Sequence, residues 1–326
     1  MEDRLLQAAV ARLLAAIYEA DFLACSYGFR PGKTAHQALK HLRTEIMAGR
    51  AEWVVEADIR GFFDHLDHEW LMRMLGLRIG DPWILRLIRK WLKAGILDAG
   101  AVSEPTEGTP QGGPLSPLLA NVYLHYALDL WFDRVVRPQC RGNAQLIRFA
   151  DDYVALFATQ YDASRFSRAL PKRLEKFGLS LAEEKTRQLP FGYGQWRAAN
   201  GTEHFDFLGF RHFLGTDRKG HMNVIRIPSP KSVHKFLAGI KEWTRDHRHD
   251  NPWTQQQQLA RKLQGFYQYF ALWNTTRKLN MVRQETEKYW LWALKSRSQR
   301  SMQAWIEWKR HPWFRLPDPK VLHHTV

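Results

Sequence analysis

The sequence predicts an α+β protein in two parts, and three observations predict it. Short apolar runs rich in branched and aromatic residues, at 53–59, 146–157 and 205–210, read as buried strands. Between them lie segments whose apolar residues recur at helical spacing. Beyond Ile227-Pro228-Ser229-Pro230 the helical spacing dominates, and this Pro-Ser-Pro element divides the chain into residues 1–228 and 229–326.

In chain order, Leu6, Val10, Leu13, Leu14 and Ile17 predict a helix within 4–23. Tyr27 to Lys33 is a loop, and Thr34 caps a helix reaching about Met47. Trp53 to Ile59 is a buried strand that runs into a tight turn, Arg60 to Asp67. Helices follow at 68–76 and 82–94, the second led by Asp81-Pro82. Residues 95–113 are rich in loop formers, and a long helix is expected from Pro114 to about Val136. Leu146-Ile147 and Val154 to Phe157 then form a hairpin, with Asp151-Asp152 at its turn. A helix at 162–178, a strand or turn region at 181–189 and a strand at 205–210 complete the first part. Helices at 231–246, 254–271 and 277–297 make up the second.

Composition bounds the partners. At 326 residues, 45% hydrophobic and 25% charged, the chain is globular, with room for two domains. Its 48 Lys and Arg against 33 acids leave a net charge of +15, an excess that suits a polyanion, above all nucleic acid. Residues 231–326 hold +11 of that charge and eight of the 14 tryptophans. Two cysteines, Cys25 and Cys140, exclude a disulfide framework or a cysteine-built zinc site, and the 14 histidines show no metal-site spacing. Arg12, Glu19 and Asp21 interrupt the first apolar run, so no membrane span or signal peptide is expected. The expected setting is the cytoplasm of a prokaryotic cell.

An isolated Asp-Asp is an ordinary polar turn. Neighbouring like charges at the tip of a buried hairpin are unfavourable unless a cation neutralises them, which points to a divalent metal and phosphoryl chemistry. Asp58 ends an apolar strand 93 residues before Asp151. Together the three carboxylates supply what two-metal phosphoryl transfer requires, cations about 3.5–4 Å apart bridged by acids. Phe63, five residues after Asp58, is placed to lie beside a bound nucleotide's sugar, the alternative being a core phenylalanine. For Phe62 the core role is preferred. The Gly108-Thr109-Pro110-Gln111-Gly112-Gly113 loop permits close backbone approach to a ligand, and Gln111 offers an amide.

Taken in order, these segments resemble a reverse transcriptase of the group II intron type, an intron maturase. The matching stretches are Tyr27 to His36, Asp58-Ile59-Arg60-Gly61-Phe62-Phe63-Asp64, Gly108 to Asn121, Arg148-Phe149-Ala150-Asp151-Asp152, Gly178-Leu179 through Glu184-Lys185-Thr186, and Phe207-Leu208-Gly209-Phe210. The resemblance covers essentially all of residues 1–320. It implies a right-hand polymerase fold, with partial fingers and a palm carrying an antiparallel sheet in 1–228 and a helical thumb or maturase domain in 229–326. It implies two Mg²⁺ ions, with Mn²⁺ as a substitute, held by Asp58, Asp151 and Asp152. Phe63 matches the position that screens the sugar, and Gln111 the one that contacts the incoming deoxynucleoside triphosphate. Lys185 matches a lysine near the triphosphate; a merely solvated lysine is the alternative. Phe207, Leu208 and Gly209 match the hairpin that grips the primer end. Leu263 to Phe270 resembles the start of the thumb helix, and Arg30, Lys33, Arg261, Lys262, Arg277 and Lys278 are the candidate contacts to an RNA template with its DNA primer and to group II intron RNA.

Relatives carry a further fingers segment before the point where this chain starts, and many carry a Cys- and His-containing endonuclease module after the thumb. The expectation is therefore a chain with partial fingers and no DNA cleavage. Two functions follow from the sequence: RNA-templated DNA synthesis, which the three acids favour, and RNA binding in support of splicing, which the short fingers favour. A domesticated enzyme serving a host defence system is a third.

Overall fold

A computed structural model of the protein describes residues 2–93, 113–198, 203–297 and 314–323. The chain forms two compact units, Met1–Glu203 with Thr216–Met222, and His204–Gly215 with Asn223–Val326. This packing boundary falls ahead of the Pro228-Ser229-Pro230 element, because the strands after residue 203 pack with the C-terminal helices.

The first unit opens with α1 (Glu2–Tyr18), whose Val10, Leu14 and Tyr18 enter the core. Thr34 caps α2 (Ala35–Met47) in a capping box with Gln37, as its place before an apolar-periodic run predicts. The four-stranded antiparallel sheet has the order β2-β3-β1-β4, with β1 Trp53–Ala57, β2 Ala144–Phe149, β3 Asp152–Phe157 and β4 Arg187–Pro190. β1 and β3 are its central strands, and Val54, Val55, Val154, Ala155 and Leu156 are almost wholly buried.

Helices cover the sheet. Asp67 caps α3 (His68–Gly76) through the Trp70 amide, and α4 (Pro82–Lys93) turns Ile88, Trp91 and Leu92 inward. α5 (Ser116–Leu124) is buried on nearly every face and runs on through two π-helical stretches, His125–Asp129 and Phe132–Val136. An all-round apolar helix of this kind belongs inside a core. α6 (Gln160–Glu175) packs Ala163, Phe166, Leu170 and Leu174 inward, and the short α7 (Tyr193–Arg197) follows β4.

In the second unit the run read as one strand at 205–210 is a hairpin. β5 (His204–Phe207) and β6 (Phe210–Thr216) pair antiparallel, and β7 (Met222–Pro228), which the sequence reading did not anticipate, extends the sheet in the order β5-β6-β7. The reversal occurs because Leu208 and Gly209 both take positive φ, 51° and 75°. The turn is held from both sides: Tyr269 Oη donates to the Leu208 carbonyl, and the Ser229 amide and Ser232 hydroxyl donate to that of Gly209. Ser229 also caps α8 (Pro230–Asp246), which is followed by α9 (Pro252–Phe270) and α10 (Thr276–Lys295). Trp290 is fully buried and stacks on Phe314, with ring centroids 4.2 Å apart.

His212 is fully buried on β6, where its ring stacks on Phe205 of the paired strand at 4.8 Å. Burial, helped by the nearby Arg226 charge, lowers its pKa to about 3. The unfolded chain therefore takes up a proton that the folded one refuses. Stability contributed by neutral His212 is complete above about pH 6.5 and declines as pH falls toward 3, by up to roughly 5 kcal/mol. Thermal unfolding across that range should show the loss, and His212→Phe should flatten it; a profile unchanged by the substitution would rule this origin out.

Candidate active site

The site is built at one end of the central strands. Asp58 follows directly on β1, and the β1–β3 register ends at Ala57 opposite Tyr153, so one further step sets Asp58 across from Asp152. β2 and β3 meet with Phe149 opposite Asp152, leaving Ala150 and Asp151 as a two-residue turn. Ala150 takes φ +58°, a region costly for a residue with a Cβ.

What holds that turn is Arg148, whose side chain has no solvent exposure. Its guanidinium makes a two-pronged ion pair with the equally buried Asp129, at 2.8 and 2.6 Å. It also donates to the Ala150 carbonyl at 2.8 Å, to Asn121 Oδ1 at 2.9 Å and to Ser26 Oγ at 2.8 Å. Asn121 passes the restraint on, donating to the Gly28 carbonyl at 2.7 Å. A Cβ on Gly28 would stand 2.3 Å from the Ala150 nitrogen, so only glycine lets this loop lie against the turn.

The segment after α6 closes the other side. The Arg60 amide donates to the Ser180 carbonyl and the Ala182 amide to that of Asp58, which carries Lys185 to the Asp58 carboxylate. Lys185 Nζ pairs with Asp58 Oδ2, and this bond holds the ammonium above the usual lysine range. Burial pushes the Asp151 carboxyl up; the backbone hydrogen bond it accepts opposes this, the Asp58 charge adds to it and the Arg148 charge opposes it. Asp58 and Asp151 are thus electrostatic neighbours.

Among the described residues no three His, Cys, Asp or Glu side chains are grouped so as to hold a metal ion. Asp58 and Asp151 still fit a divalent ion: both offer hard oxygen donors, and their mutual repulsion is what a cation relieves.

Phe62 is buried in the core, 5.3 Å from the half-exposed Phe63 ring, so of the two only Phe63 is open to a ligand. Gln111 and the rest of Gly108 to Gly112 lie outside the described residues. Phe207, Leu208 and Gly209 form the β5–β6 turn of the second unit.

Residues 1–212 match the family described as reverse transcriptase (RNA-dependent DNA polymerase). The chain belongs to the reverse transcriptase family. Enzymes of this family use divalent metal ions. Among characterised proteins, it is 49% identical over 138 residues to group II intron-encoded protein LtrA of Lactococcus lactis subsp. cremoris, covering 40% of this chain and 23% of that protein. It is 29% identical over 272 residues to protein YkfC of Escherichia coli K12, covering 74% of this chain and 68% of that one. The match to LtrA thus spans about a quarter of that relative's length. Apo telomerase from Candida tropicalis superposes with a TM-score of 0.51 at 10% identity, covering 90% of this chain and 49% of that one, and shows the right-hand polymerase fold.

The basic positions of this family member differ in what they can reach. Arg30 is turned inward: it forks onto Glu19 and donates to the carbonyls of Leu23 and Ser26, leaving its side chain 6% exposed. It shapes the loop rather than offering a free surface charge. Lys33, Arg261, Lys262 and Arg277 are exposed and Lys278 is half-buried, with Lys262 lying 5.5 Å from the Trp243 ring. Trp253, Trp273 and Trp292 are each more than half exposed. No helix among the described residues is long and apolar enough to cross a membrane.

The residues that sequence reasoning gave no role are Arg148, Asp129, Asn121 and Gly28. Arg148 had a readable signal, a charge interrupting Leu146-Ile147 and Phe149. Arg148→Ala would leave Asp129 buried without its partner, and stability should fall by about 3–5 kcal/mol. Replacing both, as Arg148→Met with Asp129→Leu, should recover much of that stability while the turn loses its clamp. Denaturant unfolding of the three proteins measures this; equal midpoints for Arg148→Ala and the parent would refute the buried-pair account.

Proposed function

We propose that this chain is an RNA-directed DNA polymerase of the group II intron type, which adds deoxynucleotides to a primer 3′-hydroxyl on an RNA template and also binds intron RNA in support of splicing. The observation that carries the proposal is the meeting of Asp58 and Asp151 at the end of the central strands, on a turn anchored by a buried arginine.

Asp58 and Asp151 would hold the divalent ions, with Asp152 beside them on the first residue of β3; Mg²⁺ is the expected metal, as two ions, and Mn²⁺ a substitute. When bound, the metal supplies charge neutralisation at the reacting phosphate and lowers the pKa of the primer hydroxyl. The protein's own part is placement. Asp58 is fixed by its strand and by the segment bearing Lys185, so the ammonium stands where a triphosphate's negative charge would be met. Phe63, at the edge of the core against Phe62, is held in place to crowd a ribose 2′-hydroxyl. The exposed tryptophans and cations of the C-terminal helices offer stacking surfaces and phosphate contacts to single-stranded or folded RNA.

Primer extension on poly(rA)/oligo(dT) with Mg²⁺ tests the catalytic proposal. Extension should occur and should fall by about a thousandfold or more, roughly 4 kcal/mol of barrier, in Asp151→Ala with Asp152→Ala. Absence of extension by the parent protein, with equal RNA binding by both, would instead support an RNA-binding maturase without polymerisation. Phe63→Ala should raise ribonucleotide incorporation by about tenfold or more while leaving deoxynucleotide use far less changed. Unaltered sugar selectivity would remove Phe63 from that role.

A further inference from the structure

The outward face of α4 carries an unusual charge pattern. The helix includes Arg86, Arg89, Lys90 and Lys93 and no acid. Among the described helices it alone combines four cations with no acid. At about 100° per residue, Trp83, Arg86, Lys90 and Lys93 fall within about 80° of its circumference, in a row about 15 Å long. All four are exposed, Trp83 by 72%. Arg89 stands beside the row and pairs with Glu69 of α3 at 3.6 Å.

The core holds this face outward. Ile88, Trp91 and Leu92 are buried on the opposite side, and Ile84, Leu85 and Leu87 pack against the same core. Asp81 accepts the Trp83 amide at 2.7 Å and so sets Trp83 on the first turn. The lysines of the last turn suit the helix dipole. That accounts for neither Arg86 nor Trp83. An indole left in solvent contributes nothing to the core. Arg86 lies 4.9 Å from its ring centroid, and the residue stays largely uncovered with that guanidinium against it.

A row of cations attracts a polyanion, and the tryptophan narrows which one. An interfacial helix lies with its apolar face in the lipid, and here that face is inside the protein, so a bilayer is a poor fit. An acidic peptide would meet the cations and leave the ring unused. A double helix keeps its bases stacked on one another. A nucleic acid with unpaired bases uses both features, placing phosphates on the cations and a base on the indole.

We propose that this face of α4 is a docking surface for an unpaired segment of RNA, with phosphates along Arg86, Lys90 and Lys93 and one base stacked on Trp83. RNA as the partner class rests on the function proposed above, while the surface shares no residue with the candidate active site or the C-terminal helices.

The anisotropy of a fluorescent oligouridylate, titrated with the full chain in EDTA over a range of salt concentrations, tests the docking surface. Two lost phosphate contacts in Arg86→Gln with Lys90→Gln should make the slope of log K against log salt shallower by about 1.4. Arg168→Gln with Lys172→Gln removes the same charge from exposed positions of α6 and should leave the slope unchanged. Trp83→Ala should weaken binding by at least about fivefold at an unaltered slope. RNA carrying 4-thiouridine should cross-link on irradiation to the tryptic peptide 79–86, which contains Trp83. The substituted side chains are exposed, and thermal midpoints should match the parent's. Asp151→Ala with Asp152→Ala should bind as the parent does, so a lack of polymerisation leaves these results readable. No RNA binding by the parent would overturn the docking surface together with the RNA-binding part of the proposed function. Where the parent binds, four results overturn the docking surface alone: an unchanged slope in the α4 variant, an equal loss in the α6 variant, indifference to Trp83→Ala, or displacement by polyglutamate or phosphatidylserine vesicles as efficiently as by unlabelled RNA.

Discussion

Arg148 and Asp129 form an ion pair in which neither side chain reaches solvent, and the candidate active site depends on it. Burying two charges is costly, and such a pair is seldom a net source of stability compared with apolar residues of the same volume. Its value here is geometric. Guanidinium N–H groups project in a fixed plane, and this one engages Asp129, Asn121, Ser26 and Ala150 at once. Two segments distant in sequence, the helix bearing Asn121 and Asp129 and the loop at Ser26, are thereby tied to the hairpin turn through one rigid group. The backbone repeats the tie: the Arg148 amide donates to the Cys25 carbonyl, and the Tyr27 amide to the Arg148 carbonyl.

This anchoring explains how an unfavourable turn persists. Ala150 is held at positive φ, and Asp151 beside it carries a carboxyl whose charge is opposed by burial and by Asp58. Either feature alone would favour a relaxed hairpin. The guanidinium bond to the Ala150 carbonyl and the close approach of Gly28 leave the turn little room to relax. Strain and electrostatic repulsion are thus offset by contacts behind the turn, while the acidic edge stays available for a cation and its ligand.

Much of this was legible from residues. The runs of branched and aromatic residues around Leu146 to Phe157 located the hairpin, Thr34 and the Asp81-Pro82 pair marked helix starts, and Asp58 at the end of an apolar strand supplied a third acid to join the hairpin's pair. The missing parts share a cause: they depend on long-range contacts that local periodicity does not record. Leu208-Gly209 looked like strand interior because four of the six residues from Phe205 to Phe210 are large and apolar, yet positive φ at both residues reverses the chain. Arg30 reads as a surface cation in sequence and becomes internal only because Glu19 and two carbonyls converge on it.

The long helix that carries Asp129 shows how that convergence is achieved. From Leu118 to Leu124 every side chain is buried, so the helix has no solvent face on which to place a charge cheaply. Two π-helical stretches follow, and the first ends at Asp129. A π turn adds a residue to the repeat and so shifts the angular positions of the side chains after it. An acid inside a fully buried helix then has one workable outcome, alignment with a cation from another element. Arg148 is that cation, and the helix's irregularity and the hairpin's rigidity are two sides of a single arrangement.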